Sequence, residues 1–119
     1  MKDFHDLQVW HKAHAFVLKL YPETKAFPRE ELYGLTSQIR RAAISIPTNI
    51  AEGCGRDGDA ELCRFCLIAM GSASEVEYQL LLARELGFLS AESFEPLNRQ
   101  LAEIKRMLNS FIQKLKANR

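Results

Sequence analysis

Leu62-Cys63-Arg64-Phe65-Cys66-Leu67-Ile68-Ala69-Met70-Gly71-Ser72-Ala73-Ser74-Glu75-Val76-Glu77-Tyr78-Gln79-Leu80-Leu81-Leu82-Ala83 decides how this chain folds. Leu62, Cys66, Ala69, Ala73, Val76, Leu80 and Ala83 recur by fours and threes. That is the heptad spacing of a helix packed nearly antiparallel to its neighbours in a bundle. One such stripe satisfies a bundle core. Yet Phe65 to Met70 is apolar all the way round, and so is Leu80-Leu81-Leu82. Three consecutive residues at about 100° each spread over about 200° of helix surface, more than one core hides. Leu67, Met70, Leu81 and Leu82 are therefore expected at a subunit interface. Glu75, Glu77 and Gln79 lie between the two apolar runs and make burial in lipid expensive. Another copy of the chain is the expected cover, and Gly71, Ser72, Ala73 and Ser74 permit close helix approach.

Helical periodicity extends to both sides of this stretch. The breakers predict four helices over about 6–26, 29–54, 59–86 and 91–117, within one all-α domain spanning 1–119. In the first, Leu7, Trp10, His14, Val17 and Tyr21 share a face, and Pro22 disturbs the last turn. The second carries Leu32, Leu35, Ile39, Ala42, Ile46 and Ile50. This stripe keeps its phase across Pro47, which favours a kinked continuous helix. Asp57 or Gly58 is placed to cap the third and Gly87 to end it; Ser90 caps the fourth. There Leu97, Leu101, Ile104, Leu108, Phe111 and Leu115 form a second heptad seam. Connections this short force an up-down-up-down antiparallel four-helix bundle.

Composition narrows the function classes. Hydrophobic residues make up 47% and charged residues 26% of the 119, which excludes a disordered chain. The net charge of +1 announces neither nucleic acid nor membrane. The distribution says more: from Arg99 onward, Arg99, Lys105, Arg106, Lys114, Lys116 and Arg119 stand against a single acid, Glu103. No window is long and uncharged enough to span a bilayer, and Met1-Lys2-Asp3-Phe4-His5-Asp6 does not open a secretory signal. Three cysteines, an odd number, suit a reducing cytoplasm.

Catalytic patterns are sparse. Cys63-x-x-Cys66 and His11-x-x-His14 could be imagined as a tetrahedral zinc site. Cys66 already belongs to the core seam, however, and buried cysteine commonly serves as a small hydrophobe. His14 is expected to be a hydrogen-bonded core or interface residue, with His5 and His11 solvated. No Glu-x-x-His repeat marks a di-iron bundle, and Glu52-Gly53-Cys54-Gly55-Arg56 lacks the Gly-Lys-Ser/Thr of a phosphate loop. Glu75 and Glu77, two apart on a helix, diverge and make a poor acid/base pair. No catalytic residue, metal or cofactor is expected, and the chain is read as not an enzyme.

Two polar surfaces remain. Beside the apolar stripe of the second helix, Gln38, Ser45, Asn49, Glu52 and Arg56 recur at helical spacing, with Arg40 and Arg41 nearby. The ordinary reading is an inter-helix polar network in which Glu52 or Glu75 pairs with Arg40. The functional reading makes Arg40 or Arg41 a phosphate contact. On the fourth helix Arg99 and Arg106 lie opposite the heptad seam, with Lys116 near and Lys105 and Lys114 flanking the core. Repeated around a ring of subunits, this face would hold nucleic acid by charge and without sequence preference. No aromatic residues interleave with these charges, so stacking of bases is not expected there.

The run Tyr33-Gly34-Leu35-Thr36-Ser37-Gln38-Ile39-Arg40-Arg41-Ala42-Ala43-Ile44-Ser45-Ile46-Pro47-Thr48-Asn49-Ile50-Ala51-Glu52-Gly53 closely resembles the signature of the proteins encoded in 23S rRNA intervening sequences. Leu7-Gln8-Val9-Trp10-His11-Lys12-Ala13 and Glu75-Val76-Glu77-Tyr78-Gln79-Leu80-Leu81-Leu82-Ala83 look like the same family. The resemblance implies a bacterial four-helix bundle that assembles as a ring-shaped homopentamer. The family name records a genomic location, not an activity. The fold is similar to the accessory variability protein of diversity-generating retroelements, which pentamerises, binds nucleic acid and partners a reverse transcriptase. That protein is strongly basic, whereas this chain is nearly neutral. The expected partners are thus copies of the chain itself, RNA or single-stranded DNA, and a nucleic-acid-processing protein, with no membrane. The expected nucleic-acid surface comprises Arg40, Arg41, Arg99, Lys105, Arg106 and Lys116. The rival expectation is a protein–protein interaction module that binds no nucleic acid.

Overall fold

The computed structural model describes residues 2–118; Arg119, counted in the basic run above, lies outside the described residues. Four α-helices carry the chain: α1 (Gln8–Thr24), α2 (Leu35–Cys54), α3 (Gly58–Glu85) and α4 (Ala91–Ala117). Short 3-10 turns occupy Phe4–Asp6 and Arg29–Glu31. Helix α1 packs on α2 and α4, and α3 packs on α2 and α4, so the helices form a closed square around one core. The molecule measures 45 × 24 × 20 Å, and its long axis matches the roughly 42 Å expected of a 28-residue helix. Among the described residues no helix is long and apolar enough to cross a membrane.

The seams of α3 and α4 lie where the heptads place them. Leu62, Cys66, Ala69, Ala73, Val76, Leu80 and Ala83 are buried, as are Leu97, Leu101, Ile104, Leu108 and Leu115. Phe111 only flanks the core, and Ile112 beside it is the buried residue. Pro47 sits inside a continuous α2, as expected, and Pro22 two residues before the end of α1. Ser90 caps α4 by accepting a hydrogen bond from the Ser93 amide at 3.1 Å. Gly87, at φ +82°, ends α3. Its own amide reaches the Arg84 carbonyl and the next amide, of Phe88, reaches that of Ala83 at 2.9 Å, satisfying carbonyls the helix would leave open.

Two expectations need correction. The buried face of α1 is Val9, Ala13, Phe16, Leu20 and Thr24, not Leu7, Trp10, His14, Val17 and Tyr21. The two stripes lie about 100° apart, and the bulkier residues of the second rest on the outer edge toward α2. The second helix also starts at Leu35, not at 29. Gly34 adopts φ −110°, ψ −115°, which is not helical, and the Glu31 carboxylate folds back to accept from the Leu35 amide at 3.1 Å. A side chain at Gly34 would sit 2.9 Å from that carboxylate oxygen, so the glycine makes room for the cap. The turn throws Leu32 out of the core stripe, to 48% exposure.

Candidate functional site

The outer face of α3 is the first candidate surface. Leu67 and Leu81 are about half exposed, as are Ile68 and Tyr78, while Met70 and Leu82 pack partly against the chain's own core. The interface residues expected from the sequence therefore divide into two outward and two lateral. Tyr78 and Ile68 were missed. Leu67, Gly71, Ser74, Tyr78 and Leu81 recur by fours and threes, a further heptad stripe on the side away from the core. A side chain added at Gly71 would meet nothing within 4 Å. A glycine in a helix interior costs about 1 kcal/mol relative to alanine, and nothing within this chain requires it.

The second surface is the groove between α1 and α2. Its middle, of about 500 Å³, is lined by Tyr21 from α1, Leu32 and Tyr33 from the turn, and Ser37, Arg40, Arg41 and Ile44 from α2. The sequence left Arg40 to pair with Glu52 or Glu75; it does neither. Glu52 is bound to Arg56 at 2.9 Å, and Glu75 accepts from Gln79 at 3.2 Å. Arg40 instead donates through Nε to the Thr24 hydroxyl at 2.8 Å, and its guanidinium lies 4.6 Å over the Tyr21 ring. The polar network between helices is built from other residues of the edge: Asn49 donates to Ser45, and Ser72 of α3 donates to the Ser45 hydroxyl at 2.8 Å. Arg41 is exposed. Among the described residues no carboxylate pairs with either arginine. Neither Tyr33, on the turn before α2, nor Tyr21 and Thr24, on another helix, gave a signal that would have joined them to Arg40.

A smaller groove of about 370 Å³ continues along the same helices past Trp10, His14, Pro47 and Ala51. His14 is exposed and stacks on Trp10, the ring centroids 5.0 Å apart, so it is neither a core residue nor hydrogen-bonded there. His11 donates through Nε2 to the His5 carbonyl at 2.7 Å, and His5 pairs with Asp3. Across the molecule Cys54, Cys63 and Cys66 are buried together as free thiols. Among the described residues no three His, Cys, Asp or Glu side chains converge as metal ligands.

Burial pushes the Cys66 thiol up from its ordinary 9.0 to about 12, with Cys54 and Cys63 adding to the rise. A thiol harder to ionise when folded keeps its full stabilising effect below 9.0 and loses it as the pH climbs toward 12. Urea midpoints across that window should fall more steeply for the native chain than for Cys66→Ala. Parallel slopes would contradict the burial argument.

The basic face of α4 is partly spent. Lys105, one of the expected contacts, is tied to Glu77 of α3 at 2.7 Å. Glu103 is occupied by Lys12 at 3.3 Å. Arg99, Arg106 and Lys116 stay exposed, with no carboxylate partner among the described residues.

Four helices closed around one apolar core define a four-helix-bundle protein. Residues 5–110 match the model of the 23S rRNA-intervening sequence proteins, and the chain belongs to that family. It is similar to a crystal structure of a protein of unknown function from the S23 ribosomal protein family of Bacteroides thetaiotaomicron. The identity is 28% and the TM-score 0.81, over 88% of this chain and 95% of the other. No curated protein matches it.

Proposed function

We propose that this chain is a non-enzymatic cytoplasmic scaffold that assembles as a homopentamer and holds RNA or single-stranded DNA weakly, by charge. The observation that carries the reading is the outer stripe of α3. Leu67, Tyr78 and Leu81 stand exposed in register, around a glycine that no neighbour in the chain requires. Neighbouring copies would bury this surface, and the count of five comes from the family resemblance. Assembly would then multiply Arg99, Arg106 and Lys116 into a basic surface that one subunit lacks. A nucleic-acid-processing protein is the natural third party. No catalytic step is assigned, because the histidines are engaged with Asp3, a carbonyl and an indole, and the thiols are sealed in the core.

A gel shift with total cellular RNA at low salt tests the nucleic-acid part. Retardation should weaken steeply as salt rises, since bound phosphates release counterions, and should drop sharply with Arg99→Glu, Arg106→Glu and Lys116→Glu combined. Binding undiminished by this triple change, or none at low salt, would contradict it. The second reading is a protein-interaction ring that ignores RNA at every salt concentration. It is favoured by the net charge of +1 and by the neutralisation of Lys105 and Lys12.

A further inference from the structure

We infer that the groove around Tyr33, Arg40 and Arg41 holds one unstacked base and the adjoining phosphate of a single strand. This rests on the nucleic-acid reading above and gives it a defined contact, one that stacks a base as well as attracting charge.

The phosphate half is pre-shaped. Arg40 is locked by the buried Thr24 hydroxyl, which itself donates to the Tyr21 carbonyl at 2.8 Å, and by the Tyr21 ring beneath it. Only Nε is spent on this lock. The Nη hydrogens have no protein acceptor among the described residues, and a planar guanidinium fork matches two phosphate oxygens. Arg41 lines the same groove and adds a second positive charge. The nearby acid, Glu31, is turned to the Leu35 amide.

The base half is Tyr33. It is 93% exposed on the turn before α2, beside Leu32 and Ile44, which are themselves 48% and 40% exposed. A lone exposed tyrosine is ordinary. A fully exposed tyrosine lining one groove with two apolar side chains and two guanidiniums without carboxylates has the parts that single-strand sites use: a ring for the base and cations for the backbone. The groove is shallow and open to solvent, which suits a base and phosphate of a passing strand and not an enclosed small ligand. A second copy is a poorer occupant, because it would bury two uncompensated cations unless it brought acids to them.

The test uses fluorescence anisotropy of the full chain at low salt with two labelled probes, a deoxyadenosine decamer and an abasic decamer with the same phosphates. Tyr33→Ala should weaken the deoxyadenosine decamer on the order of tenfold, while Tyr33→Phe keeps native affinity. On the abasic decamer, native chain and Tyr33→Ala should bind alike. Equal affinity of native and Tyr33→Ala for the adenine strand, or an equal loss on both probes, would overturn the site. So would a change in particle mass on Tyr33→Ala, which would make the groove a subunit contact. If the adenine strand binds and responds to the α4 triple reversal but not to Tyr33, the site falls and the charge-based reading stands. If neither decamer binds, both fall.

Discussion

Leu81→Arg should reduce the particle to a single 13.6 kDa chain while leaving its helix content unchanged. Leu81 is 45% exposed in the isolated bundle, so an arginine there can reach water without disturbing the core. A surface change of this kind usually moves stability by no more than about 0.5 kcal/mol. In an assembly the same position is covered in every copy. Each interface would then have to desolvate a guanidinium, and Glu85, one turn further along α3, could pair with it only by being desolvated too, a penalty of several kcal/mol per site. Light scattering beside circular dichroism separates the outcomes. An unchanged mass with intact helices would mean that Leu81 is not interfacial.

Gly53→Ala should destabilise the bundle by about 1–3 kcal/mol, although alanine is the better helix former. A Cβ at this position would lie 2.8 Å from Phe65 Cβ and 2.9 Å from Leu62 Cδ1. The leucine tip can rotate away. The Phe65 Cβ is fixed to the α3 backbone, so α2 and α3 must part there. Gly71→Ala is the matching control, since its Cβ meets nothing, and it should gain about 1 kcal/mol in a dissociated chain. Urea denaturation in the Leu81→Arg background measures both without the contribution of assembly. A neutral Gly53→Ala would mean that the two helices are not in contact there.

The residues explain which parts of this fold were legible. On α4 aliphatic side chains occupy one stripe and polar ones separate them, so Leu97, Leu101, Ile104 and Leu108 announce their own burial. Helix α1 carries two adjacent apolar stripes. The larger one, with Trp10, Val17 and Tyr21, masked a core face whose Ala13 is small but fully buried. The start of α2 was obscured because Glu31 caps it from four residues away across a glycine, a side-chain event that periodicity does not encode. The α3 surplus was visible as a run of apolar residues, but only the packing divided it. Met70 and Leu82 turn inward, and Leu67, Ile68, Tyr78 and Leu81 stay out. The arginine groove was half legible. Arg40 and Arg41 stand in the signature run, whereas the Thr24 lock and the Tyr21 platform come from a different helix.

Native mass spectrometry of the unmodified protein at high dilution addresses the outer α3 stripe most directly. The account predicts a dominant species of five times 13.6 kDa. A folded single chain as the main species, with Leu67, Tyr78 and Leu81 open to water, would contradict it.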